Sequence, residues 1–168
     1  EYEKLRSLSI QKFPGNQKII KVYVVGNPES GKSTLIESLK RRGIISSLFS
    51  VSTKDVPLHT AGIVPSFYDS KACGRCLYYD FAGDKEYYSS HSAILEVVSQ
   101  SSIGTSVYLV LANLTKDIIV LQSEIGYWLS FVSCHAKAVS ITHKLKIAIV
   151  LSHSDHLSPS EASSKAEI

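Results

Sequence analysis

Short runs of apolar residues alternate along the chain with longer stretches in which apolar residues have helical spacing. The runs at residues 19 to 25, 106 to 112 and 146 to 151 are nearly continuous, which is typical of parallel strands buried on both faces. The helically spaced positions between them are Leu35, Ile36, Leu39, Ile94, Leu95, Val98, Ile118, Leu121, Ile125, Trp128, Leu129 and Val132. This alternation predicts an α/β fold with a mostly parallel sheet, whose centre is formed by the three runs, and helices on both faces.

One pair of strand-like segments departs from this alternation. Residues 62 to 69 and 76 to 80 both have the composition of strands, and a short turn that contains Gly74 joins them. Such a turn is too short for a parallel crossover, so the pair is predicted to form an antiparallel hairpin at the edge of the sheet. An edge position also tolerates Pro65, because edge strands leave some amides unpaired.

The length and the remaining segments define the domain organisation. The 168 residues suffice for about one domain. Residues 44 to 58 have no steady period and contain Ser, Thr and Pro, so a long mobile loop is predicted there, and a helix is expected after Pro159. We assign residues 1 to 14 to a linker or helix of a preceding region and residues 15 to 168 to one domain. Because the chain begins with Glu1 and contains no Met, we expect it to be a piece of a longer protein.

Composition and charge exclude several classes of protein. Hydrophobic residues make up 44% and charged residues 20% of the chain, which favours a folded domain over a disordered one. The net charge of +3 is spread along the chain without a Lys/Arg run, so no nucleic-acid partner is expected. No apolar run reaches the ~18 residues of a membrane span, and there is no signal-peptide pattern. We therefore expect a cytoplasmic protein with no transmembrane segment.

The number of cysteines also favours a cytoplasmic protein. Three cysteines, an odd number, favour a reducing environment over a disulfide framework. Cys73 and Cys76 have the C-x-x-C spacing of a zinc or redox half-site, but Cys134 is the only other cysteine and supplies no second pair. Two alternatives stay open: a hairpin turn with two free thiols, or an intermolecular disulfide or metal contact.

The most specific motif lies directly after the first apolar run and before the first helical stretch. Gly26, Gly31, Lys32 and Ser33 match the phosphate-loop pattern G-x-x-x-x-G-K-[ST]. Glycines permit close wrapping around a phosphate and helix amides point at it, while Lys32 reaches the terminal phosphates and Ser33 is a magnesium ligand. The predicted nucleotide-binding residues of this segment are Asn27, Pro28, Glu29, Ser30, Gly31, Lys32, Ser33 and Thr34. The alternative is an ordinary strand-to-helix turn with an exposed lysine.

Two further segments complete a predicted magnesium and third-phosphate site. Asp80 ends a strand at the same sheet edge as Ser33, where its carboxylate can hold a magnesium-bound water. Gly83, the last residue of this D-x-x-G, has an amide that can face the third phosphate, so the loop after it is expected to respond to the nucleotide. Thr60, just before the edge hairpin, is placed to reach the metal and the same phosphate. The predicted metal-site residues are therefore Ser33, Thr60 and Asp80. The alternative for Thr60 is an ordinary residue before a strand. The alternative for Asp80 and Gly83 is a D-x-x-G that occurs by chance.

A third segment is predicted to recognise the base. Ser152, His153, Ser154 and Asp155 follow the last apolar run and so lie at the same carboxyl edge of the sheet. A carboxylate at Asp155 accepts hydrogen bonds from N1–H and the exocyclic amine of guanine, a donor pair that adenine lacks. His153 and Asp155 are therefore predicted to bind the base, which disfavours a P-loop ATPase. The alternative is a polar strand end.

The order of these motifs, from the phosphate loop through Thr60 and Asp80 to Asp155, resembles that of Ras-like GTPases. The segment YDFAGDKEYYSSHSAIL, together with His153 in place of the usual lysine of N-K-x-D, is similar to the Roc domain of Roco proteins. The resemblance spans roughly residues 15 to 157 and implies a Ras-like fold that binds GTP or GDP with Mg²⁺. It also implies a parent chain with a COR dimerisation region, hence a homodimer, and often a kinase.

Three departures from the family pattern bear on catalysis and on the fold. Asp84 follows Gly83 where Ras-like enzymes carry a water-orienting glutamine, and no arginine lies between residues 44 and 60. Too few residues follow Asp155 for another helix and the last strand, so we expect the C-terminal strand to be missing. With Thr60, Gly83 and Asp84 as candidate catalytic residues, we expect a signalling switch that hydrolyses GTP slowly. A non-catalytic nucleotide-binding module for dimerisation or scaffolding is the alternative.

Overall fold

Strands and helices alternate along the chain in the computed structural model, which describes residues 19–42, 62–70, 74–99, 105–137 and 146–167. In chain order the elements are β1 (Ile20–Gly26), α1 (Lys32–Arg42), β2 (Ile63–Ser70), β3 (Gly74–Phe81), α2 (Tyr88–Ser99), β4 (Thr105–Asn113), α3 (Ile118–Lys137), β5 (Lys146–Ser152) and α4 (Pro159–Ala166). Short 3₁₀ turns at Lys85–Tyr87 and Ser154–His156 precede α2 and α4.

The described strands form one sheet in the order β2-β3-β1-β4-β5. β1 pairs in parallel with β3 and β4, and β4 pairs in parallel with β5. The pair β2 and β3 is antiparallel and forms the predicted edge hairpin, in which Ile63 lies opposite Phe81 and Pro65 opposite Tyr79. A mostly parallel α/β sheet with one antiparallel edge hairpin is thereby confirmed.

Neighbouring residues of β1 belong to hydrophobic clusters on opposite faces of the sheet. Tyr23 lies in a cluster with Trp128 of α3, and Val24 lies in a cluster with Ile36 of α1. Because successive side chains of a strand point to opposite faces, helices cover both faces, as predicted. The core therefore fixes β1 from both sides, and with it the start of the turn that leads into α1.

Three buried tyrosines stack across β3, β1 and β4. The ring centroids are 5.1 Å apart for Tyr23 and Tyr79 and 4.7 Å apart for Tyr23 and Tyr108, and these residues are register partners in the sheet. Stacked rings add to the free energy of area burial, so the stack favours this one register over a slipped one. The same register places Asp80 beside Val24, near the carboxyl end of β1.

The structure corrects details of the sequence-based predictions. The run at residues 146 to 151, predicted for the centre of the sheet, forms β5 at one edge of the described sheet, where Ile149 is exposed. Ile118, predicted for the buried stripe of α3, is exposed because it is the first residue of the helix, and burial on this face starts at Leu121. The observed strand ends differ from the predicted ones by a residue or two.

Other predictions have mixed outcomes. The linker at residues 1 to 14, the loop at residues 44 to 58 and Cys73 lie outside the described residues. Cys76 is buried and forms no disulfide within the described residues, so both alternatives for the C-x-x-C pair stay predictions. The helix expected after Pro159 is confirmed as α4. None of the helices in the described ranges combines the length and the apolar character needed to cross a bilayer.

Candidate functional site

The turn between β1 and α1 has a backbone that depends on glycine. Gly26 has a φ of 149°, and a Cβ built on it would lie 2.3 Å from the carbonyl oxygen of Leu111. Gly31 has a φ of 80°, in the left-handed region that glycine adopts without strain. Between them the amide of Ser30 donates to the carbonyl oxygen of Asn27 at 3.3 Å. This tight loop leads into the N-terminus of α1, where the first amides have no acceptor within the helix.

Lys32, the first residue of α1, folds back over this loop and is buried. Its ammonium donates to the carbonyl oxygens of Gly26 at 2.9 Å and Asn27 at 2.8 Å. Burial lowers the pKa of Lys32 to about 8, while the carboxylates of Asp80 and Asp84 oppose that shift. Lys32 is therefore not the exposed lysine that the alternative of an ordinary turn assumed. A buried ammonium is a charge suited to pair with an anion that replaces its lost hydration.

Ser33 and Asp80, which lie 47 positions apart in the sequence, meet beside the loop, where the Ser33 hydroxyl donates to Oδ2 of Asp80 at 2.6 Å. A hydroxyl and a carboxylate are oxygen ligands that suit Mg²⁺, which in nucleotide sites also takes water and phosphate oxygens. Across the described ranges, no group of three or more His, Cys, Asp or Glu side chains is placed to hold a metal ion. Ser33 and Asp80 can supply two protein oxygens to such an ion, and the metal site stays a prediction.

Gly83 packs directly on the phosphate loop. A Cβ at this position would lie 2.3 Å from the Pro28 nitrogen and 2.5 Å from the Asn27 carbonyl carbon, so any side chain would push the two segments apart. Asp84 comes next, just before the 3₁₀ turn. It is near enough to Lys32 for its negative charge to raise the pKa of that ammonium. The predicted Gly83 and Asp84 are therefore both brought to the loop.

Two aromatic residues that the sequence did not assign to the site hold Asn27. Nε1 of Trp128 donates to Oδ1 of Asn27 at 2.7 Å, and the Tyr88 hydroxyl lies 3.5 Å from the same oxygen. Tyr88 also donates to the carbonyl oxygen of Gly83 at 3.2 Å. The prediction that Trp128 is a core residue is confirmed, since only 1% of it is exposed. A buried tryptophan needs an acceptor for its N–H, which the sequence indicates without identifying the acceptor.

The end of β5 also reaches the phosphate loop. A Cβ built on Gly31 would lie 3.7 Å from both Cε1 of His153 and Cβ of Ser152. The Ser152 hydroxyl donates to the carbonyl oxygen of Ala112 at 3.1 Å and lies 2.8 Å from Nδ1 of His153. Because this hydroxyl has a single proton, both contacts are satisfied when Nδ1 of His153 carries a hydrogen and donates it to Ser152. Nε2 of the neutral imidazole is then an acceptor beside the loop.

Asp155, the predicted base-binding carboxylate, is open to solvent. It lies in the 3₁₀ turn after β5, and its side chain is 81% exposed and 3.7 Å from Nε2 of His156. His153 precedes that turn with a φ of 61°, a left-handed conformation that is uncommon for a residue with a side chain. An exposed carboxylate discriminates between bases only when a bound base covers it, because its hydration is lost at that step.

The remaining predicted residues differ in exposure. Glu29 and Thr34 are exposed, Pro28 is half-buried, and Ser30 is buried inside the loop. Glu29 has a φ of 61°, which turns the backbone of the loop between Gly26 and Gly31. Thr60 lies outside the described residues, so its role stays a prediction.

The side chain of His91, in α2, is fully buried. Its ring lies edge-on to Phe81, with 5.1 Å between the centroids, and is stacked near Tyr87 at 6.2 Å. Burial lowers the pKa of His91 to about 4, against an opposing effect of the Gly62 backbone. A neutral imidazole therefore packs α2 against the end of β3.

Together these contacts bring a cation, a hydroxyl and a carboxylate, Lys32, Ser33 and Asp80, to one glycine-rich turn at a helix N-terminus. Such a set can bind a polyphosphate with a divalent ion. The chain matches no protein-family model and no curated protein sequence. The assignment of a function therefore depends on the residues described above.

Proposed function

We propose that this chain is a Ras-like guanine-nucleotide-binding domain of the Roc type, which binds GTP and GDP with Mg²⁺ and hydrolyses GTP slowly. In this proposal the loop after Gly26 binds the phosphates, and Ser33, Asp80 and Thr60 serve the metal. The segment that begins at Gly83 changes its conformation with the third phosphate. The domain acts as a signalling switch in a longer parent chain, with a COR region and a homodimer as the expected context.

The observation that carries the proposal is the 2.6 Å contact between Ser33 and Asp80 beside the buried ammonium of Lys32. An ordinary strand-to-helix turn gives no reason to bury a lysine there, since burial disfavours its charge. A phosphate provides that reason, because it pairs with the ammonium and accepts from the amides at the start of α1. Mg²⁺, when bound, supplies neutralisation of the phosphate charge.

The choice of guanine is assigned to the base end of the site. Asp155 offers two acceptor oxygens to the donor pair of guanine, and adenine would leave the carboxylate covered without partners. The ring of His153 lies beside Gly31 of the phosphate loop, and Ser152 contacts its Nδ1 at 2.8 Å. In the proposal the imidazole contacts the nucleoside at the position where Ras-like GTPases use a lysine.

Slow hydrolysis follows from Asp84. An ionised carboxylate cannot donate a hydrogen bond, so it cannot orient a water molecule and the phosphate together as a glutamine does. Its charge also lies close to Lys32, and a third phosphate that binds there meets repulsion. We expect the rate of an unassisted Ras-like enzyme, ~10⁻⁴ to 10⁻³ s⁻¹.

A non-catalytic nucleotide-binding module for dimerisation or scaffolding is the second candidate, and the same residue favours it. If Asp84 disfavours the third phosphate strongly, GDP becomes the resident ligand and turnover does not occur. Binding would then stabilise the fold by mass action without a switch between two states.

Nucleotide competition tests the proposal. A fluorescent GDP analogue is bound to the chain in the presence of Mg²⁺ and displaced with unlabelled GDP or ADP. GDP is expected to displace the analogue at far lower concentration than ADP. Equal competition by the two would contradict the assignment of Asp155, and no binding of either would overturn the proposal.

Single-turnover hydrolysis of GTP separates the two candidates. Slow phosphate release that does not depend on protein concentration supports the enzyme. Tight GTP or GDP binding without phosphate release above the uncatalysed rate supports the module. A rate that rises with protein concentration indicates that a second copy supplies a missing group.

A further inference from the structure

We infer that Trp128 is a positioning residue that fixes the phosphate loop through Asn27, and that Tyr88 links the same loop to the segment after Gly83. The inference rests on the proposed function, because it assigns roles within that nucleotide site. Its basis is a set of hydrogen bonds that join three separate parts of the chain, with Trp128 and Asn27 101 positions apart.

Asn27 is held from two directions. Its backbone carbonyl oxygen accepts from the Lys32 ammonium at 2.8 Å, and its side-chain oxygen accepts from Nε1 of Trp128 at 2.7 Å. A displacement of Asn27 therefore moves an acceptor of Lys32, the group proposed to bind the terminal phosphates. The indole N–H thus acts on the ligand site without touching the ligand.

Trp128 is closely packed in the core. Its ring makes edge-on contacts with Tyr88, Tyr127 and Phe131 at centroid distances of 5.2, 5.3 and 5.5 Å. It also belongs to the main hydrophobic cluster on that face of the sheet. Because core side chains are close-packed in rotamer minima, the N–H anchors the loop to the core.

Tyr88 has one hydroxyl proton and two acceptors within reach. The nearer is the carbonyl oxygen of Gly83 at 3.2 Å, and the other is Oδ1 of Asn27 at 3.5 Å. Burial raises the pKa of Tyr88 to about 12, so the hydroxyl stays a donor at neutral pH. If the loop after Gly83 rearranges on binding a third phosphate, so that the Gly83 carbonyl leaves Tyr88, the Tyr88 hydroxyl turns to donate its hydrogen bond to Oδ1 of Asn27. Asn27 then accepts a second hydrogen bond, and the indole environment changes.

The chain offers a direct spectroscopic readout, because Trp128 is its only tryptophan. Indole emission depends on the hydrogen bond of its N–H. We expect the emission to change on titration with Mg²⁺ and GDP, and to change differently with a non-hydrolysable GTP analogue. Tyr88→Phe removes the hydroxyl and is expected to make the two responses alike.

Affinity measurements test the positioning role independently. Trp128→Phe keeps an aromatic ring without the N–H, and Asn27→Ala removes the acceptor. Each is expected to weaken GDP binding roughly fivefold to tenfold, the effect of one hydrogen bond. The double variant is expected to be no weaker than Asn27→Ala alone, because both changes act through one contact. Tyr127→Phe, in the same aromatic cluster but not bonded to Asn27, is the matched control and is expected to bind normally.

The outcomes are distinguishable. Normal GDP binding by Trp128→Phe, or additive effects in the double variant, overturns the positioning role and leaves nucleotide binding intact. If calorimetry shows that the wild type binds GDP but its indole emission does not change, the proposed link between Trp128 and the phosphate loop is contradicted as well. No GDP binding by the wild type overturns the proposed function and this inference with it. If Trp128→Phe fails to fold in a thermal unfolding measurement, Asn27→Ala and Tyr88→Phe decide, since both leave the indole in place.

Discussion

The two ends of the candidate site are built in opposite ways. At the phosphate end, Lys32 and Asp80 are buried, and the loop, α1 and β3 are joined by hydrogen bonds of 2.6 to 2.9 Å. At the base end, Asp155 is open to solvent, and its Oδ2 lies 3.7 Å from Nε2 of the adjacent His156. If the proposed nucleotide binds here, one end is formed before it binds and the other is completed by it.

This difference separates affinity from selectivity. Where groups are desolvated and ordered during folding, ligand contacts contribute almost fully to the free energy of binding. Where a carboxylate loses its water only on binding, the free energy gained from its hydrogen bonds is offset by the cost of that dehydration. Its main effect is then on the difference in binding free energy between two bases. We therefore expect the phosphate end to set how tightly a nucleotide binds and the base end to set which nucleotide binds.

The contrast has its origin in the sheet. β1, which leads into the phosphate loop, has a strand on each side and helices on both faces. β5, which leads into the base end, lies at the edge of the described sheet, and Ile149 in its middle is exposed. A strand paired on both sides holds the residues after it more firmly than a strand paired on one.

The largest effect is expected from Lys32→Ala. Loss of two charge-assisted hydrogen bonds to phosphate, at ~1.5 to 3 kcal/mol each, should weaken GDP binding roughly a thousandfold. The variant should still fold, because it removes a buried charge whose desolvation disfavours the ligand-free state. Calorimetry with GDP and thermal unfolding check the two parts.

Lys165→Ala is the matched control for that prediction. The Lys165 ammonium also donates to two backbone carbonyls, those of Leu114 at 3.1 Å and Lys116 at 2.7 Å, and neither residue belongs to the phosphate loop. It should lose stability and keep GDP affinity. Equal GDP affinity in Lys32→Ala and the wild type would mean that Lys32 does not bind the phosphates, and that the buried end does not set the affinity.

Asp155→Asn is expected to have the second largest effect. It replaces a charged acceptor by an amide, so GDP binding should weaken roughly 30-fold, the value of one charge-assisted hydrogen bond. Affinity for xanthosine diphosphate should rise, since the amide can donate to the oxygen that replaces the exocyclic amine. Competition binding with both nucleotides measures the change in preference.

Asp117→Asn is the corresponding control. Asp117 is an exposed carboxylate after the neighbouring strand β4, and its Oδ1 accepts from the amide of Ile119 at 2.9 Å. An asparagine keeps that acceptor, so neither stability nor base preference should change. A loss of GDP binding without a gain for xanthosine diphosphate in Asp155→Asn would mean that Asp155 does not contact the base.

Much of the phosphate end could be predicted from the sequence, because its parts depend on local rules. The glycine spacing, the strand before it and the helix after it are all short-range patterns, and the structure brings Ser33 to Asp80 as expected. The edge hairpin was predictable for the same reason, since the length of its turn excludes a crossover.

What could not be predicted depends on contacts distant in the sequence. The apolar run of β5 indicates burial but not which strands flank it, so its edge position was missed. The acceptor of the Trp128 N–H lies 101 positions away. The burial of His91 depends on Phe81 and Tyr87 surrounding a side chain that is more often half-exposed.

A pH profile of GDP binding sharpens the comparison further. The pKa of Lys32 is lowered to about 8 in the ligand-free protein, and a bound phosphate should raise it. Affinity should therefore be constant below about pH 8 and fall by up to ~10-fold per pH unit above it, because binding then requires uptake of a proton. Lys32→Arg, measured in parallel, stays charged over this pH range. The difference between the two profiles therefore removes the contribution from titration of the nucleotide itself. Parallel profiles for the two proteins would exclude Lys32 as the group responsible.

The smallest effect is expected from Ser152→Ala at the base end. Without the hydroxyl, Nδ1 of His153 loses its partner at 2.8 Å, and the ring is free to rotate away from the loop. One neutral hydrogen bond is worth ~1 kcal/mol, so GDP binding should weaken about fivefold. Nitrogen chemical shifts of His153 should change from the Nδ1–H tautomer to a mixture, which a general loss of stability would not produce.

Ser158→Ala is the control that separates a loss of stability from a loss of GDP affinity. Ser158 caps α4 by accepting from the Glu161 amide at 3.3 Å, so its loss should cost ~1 kcal/mol of folding free energy and leave GDP affinity unchanged. Ser152→Ala also loses the hydrogen bond to the Ala112 carbonyl, so it should lose GDP affinity in addition to stability, and affinity is the measurement that distinguishes the two variants. If both serine variants lose stability and neither loses affinity, the ring of His153 is not part of the site, and the base end consists of Asp155 alone.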